Sequence, residues 1–75
     1  MSSWNLNKQN EVSLITKIDD TTTSGTTYIG KAVPGSSESA AVWQITKITD
    51  TEILFAKGDD LFDKQWSQRT TYTYK

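Results

Sequence analysis

Three aspartates in one short stretch, Asp59, Asp60 and Asp63, form the densest set of possible metal ligands in the chain. A calcium loop alternates its oxygen ligands, bends at a central glycine and closes on a glutamate. The segment GDDLFDKQW lacks that alternation, the central glycine and the terminal glutamate, so the three carboxylates read as a solvated turn. Asp19 and Asp20, ahead of Thr21, Thr22 and Thr23, read the same way, because an aspartate in a turn accepts hydrogen bonds from its own backbone. The serines of SGTT and PGSSES are nucleophiles only beside a base, and the chain has no histidine to supply one. Lys31 or Lys57 would need burial to serve instead, and both have polar neighbours. Without cysteine there is neither a disulfide nor a thiolate metal site. No catalytic, cofactor or metal-binding set emerges, and the expectation is a protein that is not an enzyme and works by binding.

The aromatic residues are the other candidates. Tyr28, Trp43, Trp66, Tyr72 and Tyr74, if exposed on one face, would suit stacking on sugar rings or bases. With only 35% hydrophobic residues, however, a small domain needs its large aromatics inside. The expected core is Tyr28, Trp43, Ile45, Phe55, Phe62 and Trp66, with Arg69 stacked on the Trp66 indole or paired with Asp63. Trp4 and Leu6 differ from these, since they sit in a polar leader, SSWNLNKQNE, too poor in apolar residues to form an element alone. Residues 1–11 therefore read as an N-terminal arm whose Trp4 and Leu6 bind a partner, and residues 12–75 as one small β domain. Packing of Trp4 against its own domain is the alternative.

The elements that must position these residues are mostly strands. Twelve threonines stand beside Ile, Val and Tyr in short runs, and β-branched side chains favour a pleated surface. Residues 12–18 alternate with period two before the DDTTTSG turn cluster, and TTYIGKAV (26–33) runs into Pro34-Gly35. Gly30 inside that second run signals a bulge or a close approach by another backbone. Residues 34–40 read as an exposed loop tolerant of insertion. VWQITKIT (42–49) and EILFAK (52–57) follow as a hairpin, and TTYTY (70–74) as a terminal strand with Tyr72 and Tyr74 on one face. Between them, LFDKQW (61–66) suggests a short helical turn with Asp60 as its cap. The expected architecture is all-β: a small five-stranded barrel or a tight two-layer sandwich with one helical turn near residues 61–66. ITKI occurs at Ile15 and again at Ile45; a short recurrence is ordinary strand chemistry more often than duplication, and no second binding site follows from it.

Composition sets outer limits. A chain of 75 residues makes one small domain, which buries roughly 60% of the surface its unfolded state exposes. A net charge of −1, from 8 basic and 9 acidic residues, offers no footprint for nucleic acid or an acidic membrane. No apolar run reaches the length of a membrane span and no signal-peptide core is visible, so the expectation is a soluble product made and kept inside the cell unless something carries it out.

The order of certain residues resembles a set of small proteins encoded by tailed bacteriophages. The matching positions are Tyr28-Ile-Gly-Lys-Ala32, Pro34-Gly35, Ala41-Val-Trp43-Gln-Ile45, Ile48-Thr49, Phe55-Ala56-Lys57-Gly58, Phe62-Asp63, Trp66, Arg69 and a closing tyrosine. They resemble a pattern Y-[IV]-G-x-A-x-P-G, A-x-W-x-I-x-x-I, A-x-G, F-x-x-x-W-x-x-R and Y, over about fifty of the 75 residues. Where many of those proteins have Ala-Asp-Gly this chain has Ala56-Lys57-Gly58, so a carboxylate role at that turn does not carry over. The resemblance implies a virion component on the capsid surface, at the neck or in the tail. It would be made in the host cytoplasm, contact other virion proteins, and be present in many copies or as a homo-oligomer. A glycan or host-surface binding module and a small inhibitor of a host protein are the competing expectations.

Overall fold

Both ITKI segments are strands, as their β-branched content favours. A computed structural model describes residues 13–75. In it β1 (Ile15–Asp19), β2 (Thr27–Ala32), β3 (Gln44–Ile48) and β4 (Ile53–Phe55) form one antiparallel sheet in chain order. β1 and β3 flank β2 on either side, but their registers differ: Ile15 faces Ala32 and Ile18 faces Ile29, whereas Ile45 faces Gly30 and Ile48 faces Thr27. The two copies of ITKI thus occupy unlike positions. Isoleucines three apart point to opposite faces of a strand, and Ile45 is buried while Ile18 is 66% exposed.

The fold is all-β, and the sheet does not close into a five-stranded barrel. The expected fifth strand is reduced to a single bridge between Ala56 and Tyr74. Its first residues are diverted into a turn, where the Thr71 N–H donates to the Gln68 carbonyl at 2.9 Å. Residues 57–75 instead lie as an irregular cover across one face of the sheet, and two tyrosine hydroxyls fix it. Tyr72 Oη accepts the Gln65 N–H at 2.7 Å, and Tyr74 Oη donates to the Arg69 carbonyl at 2.6 Å.

The helical turn also lies elsewhere: a 3-10 turn spans Trp66–Gln68, and residues 61–65 are not helical. Lys64 exchanges two backbone hydrogen bonds with Trp43, at 2.8 and 2.9 Å, which uses the groups a helix there would need. That pairing turns Lys64 inward and leaves Phe62, an expected core residue, 45% exposed. Phe55, the other displaced member of the expected core, is half-buried.

Tyr28, Ala32, Trp43, Ile45, Ala56 and Trp66 are the buried hydrophobic residues, with Ile15, Tyr72 and Tyr74 packed against them. Gly30 explains how two indoles share so small a space. A Cβ at Gly30 would lie 2.7 Å from Trp66 Cζ3 and 3.1 Å from Trp43 Cε3, so the Trp66 ring sits directly on bare backbone. The close approach expected at Gly30 is therefore made by a side chain, and pairing runs through the position without a bulge. The two indoles meet with ring centroids 5.9 Å apart, in the tilted geometry aromatic pairs favour.

The turn after β4 has its own signature. Lys57 and Gly58 both have positive φ, 59° and 75°, which is the mark of a type I′ turn. Asp-Gly and Asn-Gly suit such a turn best, so Lys57 holds a conformation that its residue type does not favour.

Candidate functional site

Trp4 and Leu6, the expected partner-binding residues, and the whole of the 1–11 arm lie outside the described residues. Three other places in residues 13–75 gather chemistry: an acidic cluster around Lys64, a polar cleft around Asp19, and the outer face of the sheet.

Lys64 is fully buried yet charged. Its Nζ bonds to Asp59 Oδ1 and lies 2.7 Å from Asp63 Oδ1. Burial pulls its pKa down, but the hydrogen bonds it donates to Asp59 and Asp63 outweigh that pull, and the ammonium ends above its ordinary value. Asp59 is held below the usual carboxylate range, first by Lys64 and then by the Leu61 N–H, which it accepts at 3.1 Å. Two of the three carboxylates considered as cation ligands, Asp59 and Asp63, therefore converge on a lysine of their own chain. Among the described residues no cluster of acidic side chains has the arrangement to hold a metal ion. A lysine acting as nucleophile or base must be neutral, and these partners keep Lys64 protonated.

The polar cleft encloses about 530 Å³ between the β1–β2 turn, Glu38 and Arg69. Asp19, 8% exposed, is its centre. Its Oδ1 accepts the N–H groups of Thr21 and Thr22, each at 3.1 Å, and its Oδ2 accepts Arg69 Nε at 2.8 Å. Hydrogen bonding from Thr22, then from Arg69, holds the carboxyl well below its usual range. Arg69 also donates to the Trp66 carbonyl at 3.1 Å and lies over the Trp66 ring, 4.7 Å from its centroid. Of the two partners expected for Arg69, the indole is met, and the carboxylate is Asp19 in place of Asp63. The signal for Asp19 was the Asp-Thr-Thr turn; nothing local tied it to a residue fifty positions away. Because Arg69 and Gly30 take up the two faces of Trp66, the ring offers no platform for a sugar.

The outer face of the sheet is the third place. Alternation and register put Thr16 and Ile18 of β1, Thr27, Ile29 and Lys31 of β2, Gln44, Thr46 and Ile48 of β3, and Ile53 and Phe55 of β4 on this side. Lys31 is the one charged residue among them. A sheet with one face on its core and the other in water carries polar residues outward, yet here Ile18 and Ile53 are each 66% exposed. Past the strand ends the same row continues into an apolar groove of about 520 Å³ lined by Leu14, Val33, Val42 and Phe62. Phe62, misplaced in the core on sequence grounds, is thus a wall of an open groove. The signal was available in part, since Leu14, Val33 and Val42 flank strands whose inner rows are filled by Ile15, Ala32 and Trp43.

The site and the fold together define a small all-β domain with a completed core on one side of its sheet and an open apolar surface on the other. No family model, curated protein or solved structure matches the chain.

Proposed function

We propose that this protein is a noncatalytic structural component of a tailed-phage particle, on the capsid surface, at the neck or in the tail, and that its work is to bind other virion proteins. The observation that carries the binding role is the apolar outer face. A chain with modest apolar supply completes a core of two indoles and a tyrosine on one side, and still places Ile18, Val33, Ile53 and Phe62 at the surface. Leu14, Val33, Val42 and Phe62 come together in one apolar groove, and a contiguous exposed apolar patch is a mark of an interaction site. The assignment to a virion rests on the order of residues from Tyr28 to the closing tyrosine that resembles small tailed-phage proteins. Several of those positions have structural reasons in this fold: Gly30 seats Trp66, Lys57-Gly58 makes the turn, and Arg69 ties Trp66 to Asp19. Mass spectrometry of purified particles of the encoding phage tests the proposal, which fails if the polypeptide is missing from them.

A glycan or host-surface ligand is the second reading, and the polar cleft at Asp19 is what favours it. A sugar there would meet Asp20, Glu38 and Lys17 at the rim, without an aromatic platform. Titration with a glycan panel tests this reading; absence of binding at millimolar concentration removes it.

A further inference from the structure

We infer that the groove lined by Leu14, Val33, Val42 and Phe62 is the socket for Trp4 and Leu6 of a second copy of this chain. The inference rests on the reading of residues 1–11 as a contact arm and gives that arm its receptor.

The groove selects for an apolar occupant. Its four lining residues carry no charge, and each is between 39% and 56% exposed. A volume of about 520 Å³ has room for a large aromatic side chain with a smaller neighbour. The twelve residues that precede the described part read MSSWNLNKQNEV, and they enter the fold at Ser13 and Leu14, at the lip of the groove itself. Within them Trp4 and Leu6 stand two apart, with Asn5 and Asn7 between and beyond. An extended chain presents that pair on one side and the asparagines on the other.

The root of the segment decides between its own groove and a neighbour's. Because Leu14 is one wall, reaching its own groove would require Trp4 to double back within residues 7–13, NKQNEVS. That stretch has neither glycine nor proline, so a reversal there would fall to Asn7, Asn10 and Ser13 alone. Extended, the twelve residues span up to about 40 Å, enough to leave one domain and cross to another.

Interface area points the same way. A four-stranded face about five residues long, at about 4.8 Å between strands and 3.3 Å per residue, offers on the order of 300 Å². A standard interface needs about 800 Å² per partner. Two such sheets pressed together fall short, and an exchanged arm supplies the remainder. In a two-fold pair each groove takes the other copy's arm and the assembly closes.

The test uses the full chain and two complementary variants. One, Trp4→Ala with Leu6→Ala, has a dead arm and an intact groove; the other, Phe62→Asp, has an intact arm and a charged groove at a surface position outside the core. Sedimentation velocity should show the unaltered chain self-associating, and each variant alone weakened by about 30-fold or more, the loss a central aromatic anchor carries. Both variants should keep the unaltered melting behaviour at concentrations where all three are monomers. Mixed, they should pair again through the single sound arm and groove. The inference is overturned by an unaltered chain that stays monomeric up to its solubility limit, by association that survives in both variants, or by a mixture that does not pair. A Phe62→Asp change that alters Trp4 fluorescence at constant monomer mass would also overturn it, by placing the arm in its own groove. Because these measurements use purified protein, their failure leaves the virion assignment standing, and absence from the particle leaves them untouched.

Discussion

Gly30→Ala adds one methyl group at the place where the structure has no room for it. The new Cβ would stand 2.7 Å from Trp66 Cζ3, with Cε3 closer still, and 3.1 Å from Trp43 Cε3. Carbon atoms prefer about 3.5–4.0 Å, so the Trp66 ring must retreat by about 1 Å. Its retreat is blocked by Arg69, stacked 4.7 Å from the ring centroid and tied to Asp19 at 2.8 Å. Trp43 stands beside it, fixed by its indole N–H on the Ser37 carbonyl at 2.9 Å. Overpacking of this kind costs about 1–3 kcal/mol, against which alanine returns only about 0.4–1 kcal/mol through a stiffer unfolded chain. For a domain of this size the net loss lowers Tm by about 4–8 °C per kcal/mol. Thermal unfolding followed by circular dichroism should therefore show a clear drop, with altered tryptophan emission in the folded state. In a Trp66→Leu background the same methyl should cost much less, leaving a coupling of about 1–2 kcal/mol between the two positions. A Gly30→Ala protein that melts with the unaltered chain would refute the seating of Trp66 on bare backbone.

Other perturbations have equally definite outcomes. Trp43→Ala and Trp66→Ala should each cost about 3–5 kcal/mol, which denaturant titration will read as loss of most of the stability of so small a domain. Lys57→Asn should stabilise by about 0.5–1 kcal/mol, because asparagine tolerates the left-handed conformation that lysine holds there at φ 59°; a lower denaturation midpoint would count against it. The Asp19 carboxyl is held below its ordinary value in the folded state, so its contribution is complete above about pH 4 and drains away as pH falls through the lower folded value. Asp19→Asn should accordingly be less stable than the unaltered chain at neutral pH, with the gap narrowing on acidification, as parallel pH–stability curves will show. A Gly-Ser insertion after Ser37 should lower Tm, since the carbonyls of Ser37, Glu38 and Ser39 accept hydrogen bonds from Trp43, Ser67 and Gln65; an unchanged Tm would mean that these tethers are dispensable.

Much of the fold could be read locally. Short runs of β-branched residues bounded by turn clusters place all four strands to within a few residues, and the Asp50-Thr51 turn marks the β3–β4 hairpin. What could not be read depends on partners far along the chain. Lys64 is a charged residue by type, and only its pairing with Trp43, with two aspartates at its ammonium, makes a buried position tolerable. That same pairing cancels the helical pattern of LFDKQW and turns Phe62 outward. The loop at 34–40 is small and polar, as a tolerant loop should be, yet its carbonyls are anchors for residues that follow it by up to 29 positions. Period-two patterns say that a strand has two faces but not which face meets the core. In β1 the inward row is Ile15, Lys17 and Asp19, two of them charged and each neutralised by a remote partner, Glu38 for Lys17 and Arg69 for Asp19. The aliphatic row, Leu14 and Ile18, is left outside. The candidate surface was hidden for that reason, since an exposed apolar row and a buried one look alike until the opposite face is seen to be full.

Quantitative mass spectrometry of purified particles of the tailed phage proposed to encode this chain bears on the central claim most directly. The expected result is this polypeptide at a fixed, reproducible ratio to a major capsid or tail protein through successive rounds of purification. Its absence, or a trace that falls with each round, would contradict a structural role in the virion.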